Sequence, residues 1–341
     1  MSGNVTYDRA AAEMRRPLSG RGDPALEMRE LVRFATLAAS SHNTQPWRFR
    51  ISPEAITVLP DFTRRCPVVD ADDAHLWKSL GCAAENLVQA APALGYATTV
   101  FTDESAGGVT IHLERSASVK PSELFAAIPL RQCTRSVYDG RDLGLEPLKL
   151  LERSAEAPGV RLILLTTRTQ MEAALEYVNS GNRIQLSDPA FRQELLSWIR
   201  FNPREALRTG DGLAGRTSGQ PPLPRWLGKR MLRFVLTAKS QAATDARNLR
   251  SSSALAVFVS ARDDKAAWIE VGRACERFAL QATALGIRNA FLNQPIEVRS
   301  LRPQFESWLG LKGEKASLMV RIGYAPLAPY SLRRRLDDVL V

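Results

Sequence analysis

The sequence has 341 residues, of which 45% are hydrophobic and 24% charged, so it is long enough and apolar enough to bury a large core. It has no run of 18 apolar residues, which excludes a membrane-spanning helix, and its four cysteines form no CxxC pair, which disfavours a metal or disulfide framework. The formal net charge is +10, and eleven basic against three acidic residues lie between Arg200 and Arg250. A charge this localised indicates a flap over an anionic ligand or a membrane-surface patch rather than a nucleic-acid partner. The polar N-terminus lacks the apolar stretch of a signal peptide, so we expect a cytoplasmic protein.

Helix and strand patterns alternate along the chain. Apolar residues at helical spacing predict helices at 29–39, 74–94, 146–155, 171–199 and 266–285. Alternating or β-branched segments predict strands at 47–51, 55–59, 97–101, 109–114, 160–166, 254–260 and 316–322. The stretch 203–252 is rich in Gly and Pro, then basic, and is too long for a simple connection. Alternating helices and strands predict an α/β or α+β fold.

Two of the predicted helices belong to an internal repeat with a constant offset of 191 residues. Trp77, Gly81, Ala83, Glu85, Ala91, Ala93, Leu94 and Gly95 recur as Trp268, Gly272, Ala274, Glu276, Ala282, Ala284, Leu285 and Gly286. Each copy is amphipathic and ends at a glycine that can cap a helix. The repeat indicates either a duplication that serves stability alone or two copies of a domain packed about a pseudo-two-fold axis.

Small polar residues crowd a predicted turn between the first helix and the first strand. In the segment ASSHNTQPW, Ser40, Ser41, Asn43 and Gln45 offer hydroxyl, amide and backbone N–H donors before Pro46. Such donors suit a ligand rich in acceptors, such as a flavin. The alternative is a turn that ends the helix, with Asn43 satisfying its own backbone.

A second polar segment, RQCTRSVY, carries two arginines and hydroxyl groups just before the predicted helix at 146–155. Two guanidinium groups and a hydroxyl at a chain bend can hold a phosphate. The alternative is a solvated basic loop.

These segments resemble the nitroreductase family. ASSHNTQPWRF is similar to the family's APSSxNxQPW turn, with Ala39 where proline is usual, and RQCTRSVY is similar to its phosphate-binding RxSxR or RxTNRxPY motif. NQPIE after the second repeat helix resembles the family's PIEG loop, with Val298 in place of the glycine, and SLRRRLDDV resembles its C-terminal (K/R)xR…PLEEV stretch. Cys133 and Thr134 both depart from the phosphate motif, which leaves open which of them faces the phosphate.

The resemblance implies one FMN cofactor and the residues that would bind it. The implied FMN-binding residues are Ser40, Ser41, Asn43, Gln45, Arg131, Gln132, Cys133, Thr134, Arg135, Asn293, Gln294, Pro295, Ile296, Arg333 and Arg334. It assigns no catalytic residue and no metal ligand, because the cofactor carries the chemistry.

The distribution of the motifs implies a fused dimer with a single site. In the family's homodimers the turn and the phosphate motif of one flavin site come from different subunits, whereas here they come from residues 1–125 and 126–341 of one chain. The second half lacks its own SSxNxQPW turn after Leu151, and the first half has only MRRP before Arg29. We therefore expect an α+β fold of two pseudo-symmetric halves, each a small antiparallel sheet packed with helices, in a monomer or weak homodimer.

The implied activity is NAD(P)H-dependent reduction of nitroaromatic or quinone-like acceptors through FMN. Residues 205–250 are expected to form a lid over the flavin or a cover between the halves. The alternatives for this segment are a membrane or acidic-partner contact and an ordinary surface helix. One rival function is an FMN-storage protein whose lid blocks the nicotinamide. Another is a basic nucleic-acid or membrane binder that holds no cofactor.

Overall fold

The structure is a computed structural model, and it describes residues 2–103 and 107–341. Two four-stranded antiparallel sheets organise it. The first has the strand order β1-β2-β4-β3, with β1 at Trp47–Ser52, β2 at Ala55–Pro60, β3 at Tyr96–Asp103 and β4 at Gly108–Arg115. The second has the order β5-β8-β10-β9, with β5 at Val160–Leu165, β8 at Ala254–Ser260, β9 at Arg288–Phe291 and β10 at Lys315–Gly323. The α+β class with antiparallel sheets is confirmed.

Helices cover both sheets, and a short parallel pair, β6 (Ile199–Arg200) with β7 (Leu213–Ala214), lies between β5 and β8 in sequence. The helices are α1 Ser2–Met14, α2 Pro24–Thr36, α3 Ala74–Ala90, α4 Glu123–Ala127, α5 Leu145–Ser154, α6 Arg168–Ser187, α7 Pro189–Trp198, α8 Pro203–Thr209, α9 Arg225–Val235, α10 Ala238–Arg250, α11 Lys265–Ala284, α12 Gln294–Glu297 and α13 Arg302–Trp308. In the part of the chain that the structure describes, none of them is both long and apolar enough to cross a membrane.

Side-chain alternation in β8 explains why this strand is buried from end to end. Ala254, Ala256 and Phe258 pack with α5 and α11 on one face of the sheet. Leu255 and Val257 point to the other face and pack with α6 and α13. Successive side chains of a strand point to opposite faces, so a strand covered on both faces must be apolar throughout.

The two repeat helices, α3 and α11, pack directly against each other. A Cβ atom on Gly81 would overlap the carbonyl oxygen of Ile269, and one on Gly272 would overlap that of Lys78. Ile269 is the counterpart of Lys78 at the offset of 191, so the two contacts are reciprocal. Glycine at both positions lets the helix backbones meet, and the reciprocal contacts relate α3 and α11 by an approximate two-fold axis.

The C-terminal tail returns from the second half to the first. It extends the first sheet locally, since the backbone N–H of Phe49 donates to the carbonyl of Val339 (2.7 Å) and that of Val341 donates to the carbonyl of Phe49 (3.0 Å). At the start of the tail, the hydroxyl of Tyr7 in α1 donates to the carbonyl of Tyr330 at 2.9 Å. This path places Arg333 and the residues around it beside the first half.

Two predicted elements differ from the structure. The helix expected at 171–199 is divided into α6 and α7, because Asp188 caps the second helix and Pro189 starts it. The stretch 203–252 holds three helices: α8 packs on α1, α10 packs on α6, and only α9 lies on the surface with Trp226 and Phe234 exposed. Helix α1 lies in the polar N-terminal segment, for which no helix was expected.

Candidate functional site

The turn between α2 and β1 has a strained backbone. His42, Asn43 and Gln45 all adopt the left-handed conformation, with φ of 48°, 54° and 54°. Residues other than glycine rarely take this conformation, and several together in one turn are typical of functional sites whose surroundings enforce the strain. The strain curls residues 40–45 so that Ser40 and Ser41 face a cleft between the halves.

Hydrogen bonds to two distant segments hold this turn. The Asn43 side-chain amide donates to the carbonyls of Gly212 and Leu332, both at 3.2 Å, and the Gly212 N–H donates to the Asn43 carbonyl at 3.1 Å. The Gln45 amide donates to the Gly210 carbonyl at 2.8 Å, while its oxygen accepts from the Arg334 N–H at 2.8 Å. The amides therefore shape the backbone of the turn.

Residues 210–217, which belong to the stretch expected to form a lid, are a fixed wall of the cleft. Asp211 forms ion pairs with Arg64 and with Arg200, whose Nη2 lies 2.6 Å from the carboxylate. All three side chains are largely buried, and removing one partner of a buried ion pair leaves an uncompensated charge. Leu213 and Thr217 beside them line the cleft.

Two buried arginines form the narrow end of the cleft around Glu276 of α11. The Arg131 Nε lies 2.9 Å from the Glu276 carboxylate, with side-chain exposures of 3% and 0%. Arg333 donates from Nε to the Thr36 carbonyl (2.7 Å), and from Nη2 to the Leu37 (2.9 Å) and Ala38 (3.2 Å) carbonyls. It thereby neutralises the end of α2, where the helix dipole is negative.

Positive charge exceeds negative charge at this narrow end. Burial, and then the charges of Arg15 and Arg131, lower the pKa of Arg333 well below its usual value, and Glu276 offsets only part of this repulsion. Arg135 lines the same space, and its side chain has no hydrogen-bond or ion-pair partner among residues 2–103 and 107–341. The donor set fits a phosphate group, which would supply the missing negative charge.

The cleft widens away from the arginines. Its narrow part encloses about 60 Å³ and its wide part about 360 Å³, and Ser40, Arg135 and Phe291 line both. The sequence left open whether Cys133 or Thr134 would face a phosphate. Cys133 lines the narrow part, whereas Thr134 is fully buried behind it.

The wide part is lined by the loop after β9 and by the start of α12. Asn293 accepts the Met319 N–H at 2.8 Å, and the Gln294 amide nitrogen donates to Asn182 and Asp245 at 3.3 Å each. The side-chain oxygen of Gln294 is buried and accepts no hydrogen bond within the described chain. A ligand N–H donor would satisfy it, and the pyrimidine ring of a flavin carries one.

The pseudo-symmetric counterpart of the narrow end is filled by the chain itself. Glu85, the counterpart of Glu276, forms ion pairs with Arg273 (3.2 Å) and Arg277 (2.9 Å). Arg277 also donates to the carbonyls of Ser154 (3.2 Å) and Glu156 (2.9 Å) at the end of α5. Arg277 thus contacts Glu85 and the end of α5 in the way that Arg131 contacts Glu276 and Arg333 contacts the end of α2.

A basic groove between α7 and α9 adjoins the wide part of the cleft. It encloses about 720 Å³ and shares Leu236 with the cleft. Its basic lining residues are Arg192, Arg225, Lys229 and Arg233. Arg225 is paired with Glu205, whereas the other three form no ion pair with any residue that the structure describes.

Comparison with known proteins gives one set of relatives that match nearly the whole chain. No family model matches. Two strains of Mycobacterium tuberculosis have a protein named "Putative NAD(P)H nitroreductase", each 26% identical over 329 residues, which covers 92% of this chain and 90% of the relative. These matches support the nitroreductase family.

Two solved nitroreductases are similar to part of the chain. An FMN-dependent nitroreductase from Mycobacterium smegmatis, solved in complex with NADPH, is 12% identical with a TM-score of 0.43, and covers 63% of this chain and 96% of its own. A nitroreductase with bound FMN from Bacteroides fragilis is 14% identical with a TM-score of 0.39, and covers 62% of this chain and 95% of its own.

Most of the residues that the nitroreductase resemblance implies meet at the cleft. Those that line it are Ser40, Ser41, Asn43, Arg131, Gln132, Cys133, Arg135, Asn293, Gln294 and Arg333. Those that lie behind its walls are Gln45, Thr134, Pro295, Ile296 and Arg334. Their contacts with a cofactor stay predictions.

The sequence motifs did not assign several polar residues of the wide part, among them His42, Lys78 and Glu297. Burial, and then the charge of Arg135, lower the pKa of His42 to about 4, so its imidazole is neutral near pH 7. Burial raises the pKa of Glu297 to about 7. Lys78 had a signal in the sequence, because its counterpart on the second repeat helix is the apolar Ile269.

Proposed function

We propose that this chain is an FMN-dependent oxidoreductase that uses NAD(P)H to reduce small oxidised acceptors such as nitroaromatics and quinones, with one FMN per chain. The observation that carries the proposal is the convergence at one cleft of a strained polar turn, an arginine cluster and an amide-bearing loop, from residues 40–45, 131–135 and 293–294. The curated relatives, named as NAD(P)H nitroreductases, add support for the activity.

The cleft's own residues suit the binding and orientation of FMN. Arg131 and Arg135 would hold the phosphate at the narrow end, where positive charge is in excess. Gln294 offers an unsatisfied acceptor in the wide part. When bound, FMN would supply the redox chemistry, taking a hydride from NAD(P)H and delivering two electrons to the acceptor, which takes up protons.

One site per chain follows because the surroundings of Glu276 on α11 differ from those of its counterpart Glu85 on α3. At the first end, near Glu276, a cleft is open and Arg135 has no side-chain partner among the described residues. At the second end, Arg277 bridges Glu85 and the carbonyls that end α5. A phosphate at the second end would have to compete with Glu85 for Arg277, whereas at the first end Arg135 is available beside the paired Arg131.

The basic groove supports an anionic hydride donor. Arg192, Lys229 and Arg233 face a groove that meets the wide part of the cleft at Leu236. A dinucleotide carries two or three phosphates, and free basic side chains raise its local concentration and orient it. The same helix α9 would restrict access to the cleft in the storage alternative.

Reconstitution with FMN followed by rapid mixing with NADH or NADPH tests the proposal. We expect a yellow protein whose flavin absorbance is bleached by a reduced nicotinamide and restored by menadione or a nitroaromatic. Bound FMN that no nicotinamide reduces would favour the storage function instead. Protein that stays colourless after incubation with FMN would contradict both functions.

A further inference from the structure

The cleft opens into a second cavity, here called the side cavity, that the proposed redox site does not use. It encloses about 430 Å³, and it shares His75, Lys78, Gln185, Phe191 and Glu297 with the wide part of the cleft. From these shared residues it extends away from the arginine cluster, toward residues 68–72 and 296–302.

Lys78 is unusual among the residues that line both the cleft and the side cavity. It lies on α3 with only 4% of its surface exposed, yet its ammonium group has no hydrogen bond or ion pair in the range that the structure describes. Lysine is almost never fully buried without a partner, because an ammonium loses several kcal/mol of hydration there. Burial lowers its pKa to about 8, so most of it is still protonated at pH 7.

The acidic residues that act electrostatically on Lys78 already accept hydrogen bonds or form ion pairs with other groups. Asp70 accepts the backbone N–H groups of His75 and Leu76, both at 2.9 Å, at the start of α3. Asp263 accepts from the Trp268 indole at 2.8 Å and from Arg302 at 3.0 Å.

Asp72 pairs with Arg299 at 3.4 Å, and Glu297 accepts the Gln185 amide at 2.8 Å. Arg299 and Arg302 also line the cavity, but each is ion-paired. Among the described residues, the Lys78 ammonium therefore has no direct partner.

We propose that the side cavity is the acceptor subsite for an organic compound with a single carboxylate, whose negative charge pairs with Lys78. The proposal rests on the proposed reductase function, because it names the class of acceptor that this site takes. Phe191, which lines both spaces, and Leu186 of the wide part give apolar surface for a ring. The negative charge of Asp70 and of the ionised fraction of Glu297 would repel a dianion more strongly than a monoanion, so one carboxylate suits the site better than a phosphate.

A pair of acceptors that differ only in charge tests this inference. 4-Nitrobenzoate and nitrobenzene share the ring and the nitro group, and only the first carries a carboxylate. We expect Lys78→Met to lower kcat/KM for 4-nitrobenzoate about ten- to one-hundredfold, the range for a lost charge-assisted hydrogen bond. The value for nitrobenzene should stay within about threefold, and Lys78→Arg should keep most of the preference for the carboxylate.

Lys265→Met is the matched control. Lys265 is exposed on α11 with its Nζ 5.1 Å from the centroid of the Trp77 ring, so this change removes one positive charge near α3 without touching the cavity. It should leave both acceptors unchanged. Equal losses of Lys78→Met on the two acceptors would overturn the inference, because Lys78 would then serve the flavin or the fold.

Benzoate separates failure of this inference from failure of the proposed function. It cannot be reduced, so its binding to the FMN-loaded protein is measurable by calorimetry whether or not NAD(P)H is oxidised. Benzoate binding that Lys78→Met weakens at least tenfold supports the subsite even without turnover. Turnover of nitrobenzene together with no benzoate binding overturns the subsite and leaves the reductase function intact.

Discussion

Replacing Arg135 by glutamine isolates the phosphate contact from the stability of the fold. The side chain is exposed, lines the narrow part of the cleft and pairs with nothing in the described structure, so its loss should change the free energy of unfolding by no more than about 0.5 kcal/mol. A hydrogen bond to a charged group contributes about 1.5–3 kcal/mol, which is about one to two decades in Kd. Flavin-fluorescence titrations should show this loss for FMN and almost none for riboflavin, which has no phosphate.

Arg333→Gln should have the opposite effects to Arg135→Gln, on stability rather than on the phosphate contact alone. Its guanidinium donates to the carbonyls of residues 36–38, so removing it leaves buried acceptors unpaired at a cost of about 1–3 kcal/mol each. This variant should unfold at lower denaturant concentration and lose FMN and riboflavin alike. If Arg135→Gln also weakens both ligands equally, the phosphate does not bind at the narrow end and the assignment of the cleft is refuted.

The remaining predictions concern the symmetry of the two halves and the outer helix. Titration with FMN should saturate at one equivalent per chain, because Arg277 fills the second position; two equivalent sites would contradict this. Gly272→Ala should destabilise the protein by about 1–3 kcal/mol in chemical denaturation, since its Cβ meets the Lys78 carbonyl. Gly286→Ala is the control for backbone strain without a clash, because a Cβ at this positive-φ glycine would meet no neighbour. Replacing residues 221–235 with a shorter Gly/Ser linker should raise the KM for NAD(P)H and leave FMN affinity intact. The change removes the basic side chains that face Arg192 across the groove and would bind the dinucleotide phosphates. A faster NAD(P)H oxidation in that variant would instead mark α9 as a shield.

Local sequence patterns predicted the individual elements well where one periodicity dominates. The apolar run at 254–260 and the alternation at 47–51 correspond to β8 and β1, since a strand's pleat fixes which side chains are buried. The pattern at 171–199 failed to show that Asp188 and Pro189 divide the helix, although an acidic cap before proline is a known helix start. Helix α9 was expected only as part of the lid segment or as a surface helix, because an amphipathic pattern does not show what its apolar face packs against.

The candidate site was predictable where it rests on short motifs. The turn at 40–45, the arginines of 131–135 and the amides of 293–294 were all expected to bind one ligand, and the structure brings them to one cleft. Glu297 was not expected, because a charged residue in a short helix resembles any solvated residue until its neighbours are known. Lys78 was not expected either, although the apolar Ile269 at the matching position of the repeat sets it apart.

The sequence alone determined the repeat, the antiparallel sheets and the identity of the polar segments, because these depend on the spacing of residues along the chain. Only the tertiary structure decided what each polar side chain contacts. Arg333 clamps a helix end, Arg135 is left free, and Arg277 closes the second position, although all three are arginines in basic or amphipathic stretches. The physical reason is that burial and partners are set by residues more than a hundred positions away, as with Arg333 and Thr36, and local spacing carries no information about such contacts.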